Sequence, residues 1–461
     1  MPLTRGDLDC KLPFELVEQI LDQCDQKTLL PCALVCHSWM PGCRSHTFQT
    51  FEVDGGNERQ LSNIASLLET QYSTIPEFIQ EIRFNLRESE LTTITGNDES
   101  FSNVTSSYSL KLILTHLNDR VSSLKKLHLA YDGPRLLSSE MEGPKLEELA
   151  HLFLLSFGQI TILELHLFAE HDARALIEFK CSFPHLEVLR MHSGCLEARG
   201  VDSIQELEAS LRTKPPGCHL PASLRTLELG GGDDTVDISG IAIFYRWLST
   251  KAPPPLSNLS IYKIDVEGDW DAIIQPAIEP YLRCCTELRF LHLGFDTGYV
   301  TLSATVHYDL STPQHLESLV VSIRNVVQAT HDSVMLGLIR DMLNTLTSPR
   351  LRNISFNVSG SGFRVLEEEW NAIDSVLSTT KFGSVHIKLI VPFSDITLDD
   401  STSEEDLPRA RQVFPRCDEQ GRLSAIRAPF TVKTRTWEDH EKRRDFSDHD
   451  EINWVCERFS A

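Results

Sequence analysis

The stretch that decides the fold is LKKLHL at Leu124–Leu129, in which apolar residues take the first, fourth and sixth positions. The last two apolar residues are separated by a single residue, so along a β-strand their side chains point to the same face. The residue between them, His128, points to the opposite face. This stretch therefore predicts a short strand with one buried and one polar face.

The same spacing returns ten times between residues 79 and 390. The apolar residues of the ten copies are Ile79, Ile82 and Phe84; Leu124, Leu127 and Leu129; Ile162, Leu165 and Leu167; Leu186, Leu189 and Met191; Leu224, Leu227 and Leu229; Leu256, Leu259 and Ile261; Leu288, Leu291 and Leu293; Leu316, Leu319 and Val321; Leu351, Ile354 and Phe356; and, less cleanly, Phe382, Val385 and Ile387. In the third copy, the alternative Ile160, Leu163 and Leu165 fits the spacing equally well. This alternative shifts the strand by two residues, so the same face stays inside but different side chains oppose those of the neighbouring strands.

The segments between the copies carry helical periodicity, as in Leu61, Ile64 and Leu68. A strand, a helix and a further strand favour parallel pairing with a right-handed crossover. The chain resembles leucine-rich-repeat proteins of an irregular kind, and this resemblance implies an α/β solenoid with a parallel sheet on its concave face. The copies start 24 to 45 residues apart, less regularly than the roughly 20 to 29 residues of regular repeats. An ordinary α/β domain with similar buried strands is the alternative.

The N-terminal segment Leu12–Phe48 is apolar, has a helical pattern and is too short to enclose a core of its own. Leu16, Ile20 and their neighbours form an apolar stripe on a first helix, which Pro13 can begin. Thr28 is the expected N-cap of a second helix, with Pro31 in its first turn. Because its apolar faces exceed what it can bury, the segment is expected to bind a partner.

This segment resembles an F-box, most closely those of mushroom-forming fungi, on the order and spacing of its apolar residues and of Glu15, Cys36 and Arg44. The resemblance implies an all-helical module that binds the Skp-type adaptor of a cullin–RING (SCF-type) ubiquitin ligase. The residues expected to contact that adaptor are Leu12, Pro13, Leu16, Ile20, Leu21, Leu29, Leu30, Val35, Trp39 and Phe48.

Three regions follow from these patterns: an F-box at 8–50, an irregular leucine-rich-repeat solenoid at 51–396 and a charged, partly ordered tail at 397–461. The resemblance implies a non-catalytic receptor that holds a protein substrate for ubiquitin transfer. Two alternatives remain open: a scaffold that binds the adaptor without directing degradation, and a plain repeat module whose first helices cap the solenoid.

The polar face of the strands is the predicted substrate surface. Its candidate residues are Lys126, His128, His166, Arg190, His192 and His292. The first five form a locally cationic patch, which suggests capture of an acidic or phosphorylated segment. The alternative is that these positions are polar only because they face solvent.

The composition weighs against several other functions. The net charge is −23, with 66 acidic against 43 basic residues, which opposes nucleic-acid binding. No apolar run is long enough for a membrane span and no signal peptide is recognisable, so a cytoplasmic or nuclear protein is expected. The 12 cysteines have irregular spacings that predict free thiols. Those of the N-terminal segment alternate with core residues, which favours packing over a zinc site.

No motif for catalysis or for cofactor binding is present. The glycine-rich LGGGDD at Leu229–Asp234 lacks the Lys and Ser/Thr of a phosphate-binding loop, and its two carboxylates would repel phosphate. We therefore expect neither an enzymatic activity nor a cofactor.

Overall fold

The computed structural model describes about half of the chain. The described residues are 12–35, 39–54, 57–69, 75–87, 112–117, 120–132, 157–166, 181–191, 220–230, 244–245, 247–249, 254–265, 275–296, 308–324, 329–358, 367–393, 408 and 411–429. The chain divides into two compact units. The first comprises Met1–Cys195 and Thr213–Leu224, and the second Leu196–Arg212 and Arg225–Ala461.

The first unit begins with three helices, α1 (Phe14–Asp22), α2 (Gln26–Val35) and α3 (Met40–Phe48). Helix α2 starts earlier than predicted, because the Asp25 carboxylate accepts the N–H of Thr28 at 2.8 Å. Asp25 and not Thr28 therefore caps α2, and Pro31 lies inside the helix and not in its first turn.

After these helices the first unit continues as a series of parallel strands, with two helices between the first two strands. Strand β1 (Thr50–Asp54) is followed by α4 (Glu58–Glu69) and α5 (Ile75–Phe78), and then by β2 (Glu81–Arg87), β3 (Lys126–Asp132), β4 (Ile162–His166) and β5 (Val188–Met191). Each strand pairs in parallel with the next one along the chain.

The second unit repeats this arrangement. Its elements are β6 (Thr226–Leu229), β7 (Asn258–Asp265), α6 (Gln275–Cys284), β8 (Phe290–Asp296), β9 (Ser318–Arg324), α7 (Ala329–Thr345), β10 (Asn353–Val358), α8 (Glu367–Leu377), β11 (His386–Phe393), α9 (Pro415–Glu419) and β12 (Leu423–Pro429). The strands again pair in parallel in chain order.

A recurring backbone contact shows that the copies are equivalent structural units. Before most of the strands, one carbonyl accepts two consecutive N–H groups from the start of the next copy. The carbonyl of Gln80 accepts those of Lys125 and Lys126, and the carbonyl of Ser257 accepts those of Arg289 and Phe290. Inner strand positions such as Leu127 and Leu291 are fully buried. The predicted α/β fold, helical at the start and then built from parallel strands, is confirmed.

Two copies adopt a register other than the predicted one. In β4, Leu163 and Leu165 pair with Leu127 and Leu129, so the alternative Ile160, Leu163 and Leu165 is correct. In β11, Ile387 and Leu389 pair with Ile354 and Phe356, two residues later than predicted. In both strands several apolar residues compete for the inner positions, and packing against the neighbouring strand selects between them.

The sequence pattern did not predict two further strands, β1 and β12. Phe48, Phe51 and Val53 have the spacing of a copy, and Phe51 and Val53 pair with the inner residues of β2. At the other end, β12 pairs with β11 although it carries only Leu423 and Ala425 at its inner positions. The parallel strands therefore extend to residue 429, beyond the predicted start of the tail at 397.

Candidate functional site

The three N-terminal helices enclose a small apolar cluster. Val17, Leu21, Leu29 and Cys43 are buried in it, and Cys24, Cys32, Ala33 and Trp39 pack against them. Since few side chains of the described part are buried in this cluster, contacts between the helices matter for its stability. Leu21 and Leu29 were expected to contact a partner, but here they form the interior because they lie on the inner faces of α1 and α2.

The opposite side of α1 leaves an apolar stripe uncovered. Leu12, Leu16 and Ile20 follow one another at intervals of four residues and are 44%, 45% and 42% exposed. Leu34 on α2 is 86% exposed. Of the six large apolar side chains exposed in the described part of the chain, these are four. We call Leu12, Leu16, Ile20 and Leu34 the N-terminal stripe.

The other predicted contact residues fall into separate groups. Pro13 is exposed beside the N-terminal stripe, whereas Trp39 and Phe48 are half-buried. The side chains of Leu30 and Val35 lie outside the described part. Leu34, which lies in the second predicted helix, was not among the residues expected to contact the adaptor.

Polar contacts fix α3 against α1. The imidazole Nε2 of His46 lies 3.2 Å from Oε2 of Glu18 and 3.6 Å from Oδ1 of Asp22. At Gly42 the helices approach so closely that an added Cβ would lie 2.8 Å from Cδ1 of Leu21. The exposed stripe of α1 is therefore presented on a defined helical scaffold.

The helices continue directly into the repeats of the first unit. Helix α3 ends at Phe48 and β1 starts at Thr50. The carbonyl of Gln49, between them, accepts the N–H groups of Gln80 at 2.9 Å and Glu81 at 3.0 Å. This is the same carbonyl contact that recurs between copies. The residue that follows α3 is therefore hydrogen-bonded directly to the start of the next copy, without a separate linker.

A family model for the F-box domain matches residues 10–48. The match spans all three helices and the whole N-terminal stripe, and it supports an adaptor role in an SCF-type ligase. No curated protein matches the chain. The packing of the three helices and the exposure of the N-terminal stripe give independent support to a docking role for this segment.

The strand face of the first unit is charged, but its cations are paired. Lys126 Nζ lies 3.2 Å from Glu81 Oε1 and 3.1 Å from Glu164 Oε2. Glu164 also lies 3.8 Å from both His128 Nδ1 and Arg190 Nη1. The predicted cationic patch thus contains two glutamates that sequence reasoning left out.

The corrected register of β4 explains this difference. Glu164 pairs with His128 on one side and with Arg190 on the other, whereas His166 pairs with Ala130. The predicted row had His166 in the place that Glu164 takes. The side chain of His166 and the whole of His192 lie outside the described part of the chain.

His292 belongs to the second unit and has a different environment. It is buried, and its Nε2 lies 2.8 Å from the hydroxyl oxygen of Ser322 on β9. Buried neighbours on the same strand face are Ser260 and Ser355. On the neighbouring strands His292 lies opposite Ser260 and Val320, so its immediate surroundings are a hydroxyl group and an apolar side chain.

The described thiols are suited to packing. Burial raises the pKa of Cys285 and of Cys417 to about 12, so both stay protonated at neutral pH and are poor nucleophiles. Partial desolvation, with the neighbouring Cys32 thiol, also raises the pKa of Cys24. Among the residues that the structure describes, no group of three or more His, Cys, Asp or Glu side chains is placed to hold a metal ion.

None of the helices in the described ranges combines the length and the apolar character needed to cross a bilayer.

Proposed function

We propose that this chain is the substrate receptor of an SCF-type ubiquitin ligase, with the N-terminal stripe docking a Skp-type adaptor and the repeats binding a protein substrate. The observation that carries the proposal is the exposure of Leu16 and Ile20 on α1 and of Leu12 just before it, within the segment that the F-box model matches. Exposed apolar side chains on a folded scaffold are typical of docking surfaces.

The mechanism is one of proximity. A receptor that binds adaptor and substrate together raises the effective concentration of substrate lysines near the conjugating enzyme, without contributing a reacting group of its own. The direct junction between α3 and β1 favours this role, because it holds the repeats of the first unit at a fixed angle to the docking helices.

Copurification with a Skp-type adaptor tests the docking step. Leu16→Asp places a charge in the centre of the stripe and should lower adaptor recovery at least about tenfold. Leu67→Asp is the matched control, since Leu67 is 52% exposed on α4, outside the stripe. Equal recovery of the two variants would overturn the proposed docking surface.

The same variants separate the alternative in which the first helices merely cap the repeats. A cap would bury the stripe, and Leu16→Asp would then lower the thermal stability of the isolated chain. Docking predicts little change in stability, because Leu16 is already exposed to solvent. Thermal unfolding of the purified variants distinguishes the two.

The irregular leucine-rich repeats form the proposed substrate arm, with Lys126, His128 and Arg190 as its first contacts. Glu164 pairs with both Lys126 and Arg190, and Glu81 pairs with Lys126 as well, so an acidic substrate must compete with these two glutamates for the cations. Lys126→Ala with Arg190→Ala should therefore reduce capture of acidic or phosphorylated segments, and Glu164→Gln should increase it. Proximity labelling with the proteasome inhibited measures both, and equal labelling by all variants would contradict this contact surface.

A further inference from the structure

Two rows of side chains cross the strands of the second unit on the face opposite its buried leucines, and they carry almost no charge. The rows run in register from β7 to β11. The first row is Asn258, Phe290, Ser318, Asn353 and His386, and the second is Ser260, His292, Val320, Ser355 and Lys388. We call these residues the neutral face. Apart from its two histidines, Lys388 is its one ionisable side chain.

The corresponding two rows of the first unit, from β1 to β5, are charged. Their charged members are Glu52, Glu81, Arg83, Lys126, Glu164 and Arg190. Lys126, for example, lies within 3.2 Å of a carboxylate oxygen of both Glu81 and Glu164. A charged segment of a partner therefore meets opposite charges on the first unit, whereas the neutral face contains no carboxylate. The two faces are suited to different segments.

The surroundings of the neutral face also disfavour charge. Burial lowers the pKa of Lys388 below its ordinary 10.5, because its neighbours do not replace the water that a cation needs. In the register Lys388 lies between Ser355 and Ser424, which are uncharged. A basic side chain of a partner would lose water here without finding a carboxylate. An acidic one would find a single cation, on a chain with a net charge of −23.

The first row of the neutral face has side chains that a partner can reach. Asn353 and His386 are exposed, and Phe290 is half-buried. Neighbouring strands lie about 4.8 Å apart, so Phe290 on β8 and Asn353 on β10 are separated by about 10 Å at the backbone. An extended peptide covers that distance with about three residues. The row therefore has the dimensions of a contact for a short extended segment.

The reachable groups are those that recognise an uncharged peptide. Within the described part of the chain, no group hydrogen-bonds to the side-chain amide of Asn353. Such an amide can donate to a backbone carbonyl and accept a backbone N–H at the same time. The ring of Phe290 offers a surface for an apolar side chain. The imidazole of His386 is held 2.8 Å from the hydroxyl oxygen of Ser424, which fixes the end of the row.

We propose that the neutral face binds an uncharged, extended segment of the substrate, whose backbone hydrogen-bonds to the Asn353 amide while one of its apolar side chains packs on Phe290. The proposal rests on the proposed function in taking the repeats as the substrate arm. It adds a contact that rejects charge to the contact on the first unit that attracts it, and rejection of the wrong segment is one source of specificity.

Selection of phage-displayed random peptides on the full-length protein tests this site. We expect uncharged peptides with an apolar residue among those selected. Asn353→Asp and Asn353→Lys should both weaken their binding at least about tenfold, because each variant replaces the amide with a charge. Asn371→Asp, at an exposed position on α8, is the matched control and should bind as wild type does. Selection of charged peptides alone would overturn the proposal, and so would equal binding by Asn353→Asp and Asn371→Asp or tighter binding by either Asn353 variant.

A crosslink to the wild-type protein keeps the test independent of the folding of the variants. A selected peptide with a benzophenone at its apolar position should attach to the strands around Phe290, from β7 to β9, and attachment elsewhere would overturn the proposed site. Leu16→Asp separates this proposal from the proposed function. It should abolish adaptor recovery but leave peptide binding unchanged, so failure of adaptor docking and failure of the neutral face are read from different measurements.

Discussion

Gly42 lies where α3 packs tightly against α1. A Cβ at this position would lie 2.8 Å from Leu21 Cδ1 and 3.0 Å from Glu18 Oε1, and Leu21 cannot yield easily because it is buried in the cluster of the helices. Gly42→Ala should therefore destabilise the three helices by about 1–3 kcal/mol. Hydrogen exchange of the α1 amides measures this loss.

Gly337 in α7 is the matched control, since no atom lies within 4 Å of an added Cβ. Gly337→Ala should stabilise the protein by about 0.5–1 kcal/mol, because alanine loses less backbone entropy in a helix. Equal stability of α1 in wild type and Gly42→Ala would show that the helices do not approach as described.

Glu52 in β1 gives a pH-dependent prediction. Burial raises the pKa of its carboxyl above the ordinary 4.5, although Asn85 Nδ2 donates to it at 3.0 Å. Folding therefore favours the protonated form, and the carboxylate lowers stability as the pH rises through the raised pKa. Glu52→Gln should stabilise the protein at pH 7, and this gain should vanish below about pH 4.

Unfolding by urea at both pH values measures the effect of Glu52→Gln. Glu77→Gln, at an exposed position on α5, is the control for removal of one negative charge. A gain from Glu52→Gln that is the same at pH 4 as at pH 7 would contradict the role of its ionisation.

At the scale of the elements, substitutions in β4 distinguish its observed register from the predicted one. Leu163 is fully buried, whereas Ile162 is only half-buried. Leu163→Ala should cost about 2–5 kcal/mol, and Ile162→Ala considerably less. Comparison of their unfolding midpoints in urea checks this order. The reverse order would restore the register in which Ile162 and Leu165 lie inside.

The repeat pattern predicted the existence and the direction of most strands, because burial on one face imposes apolar residues two apart whatever the rest of the copy contains. It failed at β4, where the run of Ile160 to Leu167 offers two registers, and only the contacts with β3 and β5 choose between them. It also failed at β12, where Ala425 is too small to mark an inner position by itself.

The candidate site was predictable to a different extent in its two parts. Helical periodicity predicted Leu16 and Ile20 on an apolar stripe of α1, and the family resemblance added Leu12 just before it; all three are exposed. Which of the other residues are buried depends on how the three helices pack. Leu21 and Leu29 are buried between the helices for this reason. On the strands, the register of β4 differs from the predicted one by two residues. This difference places Glu164 between His128 and Arg190, so the predicted cationic surface contains charges of both signs.

Within the molecule as a whole, the first unit carries both surfaces that are proposed to bind partners, the N-terminal stripe and the strand face. The hydrogen bonds that the Gln49 carbonyl accepts connect the end of α3 to the first strands. A partner bound to the N-terminal stripe and a partner bound to the strand face of this unit would thus be held at a fixed separation. This coupling is what a proximity mechanism needs.

Docking through the N-terminal stripe is best tested by hydrogen exchange of the full-length protein with and without a Skp-type adaptor. We predict that adaptor binding slows exchange at least tenfold in α1 and around Leu34, and leaves β8 to β11 unchanged. An adaptor complex in which α1 exchanges as fast as in the free protein would show that the adaptor binds elsewhere or not through these helices.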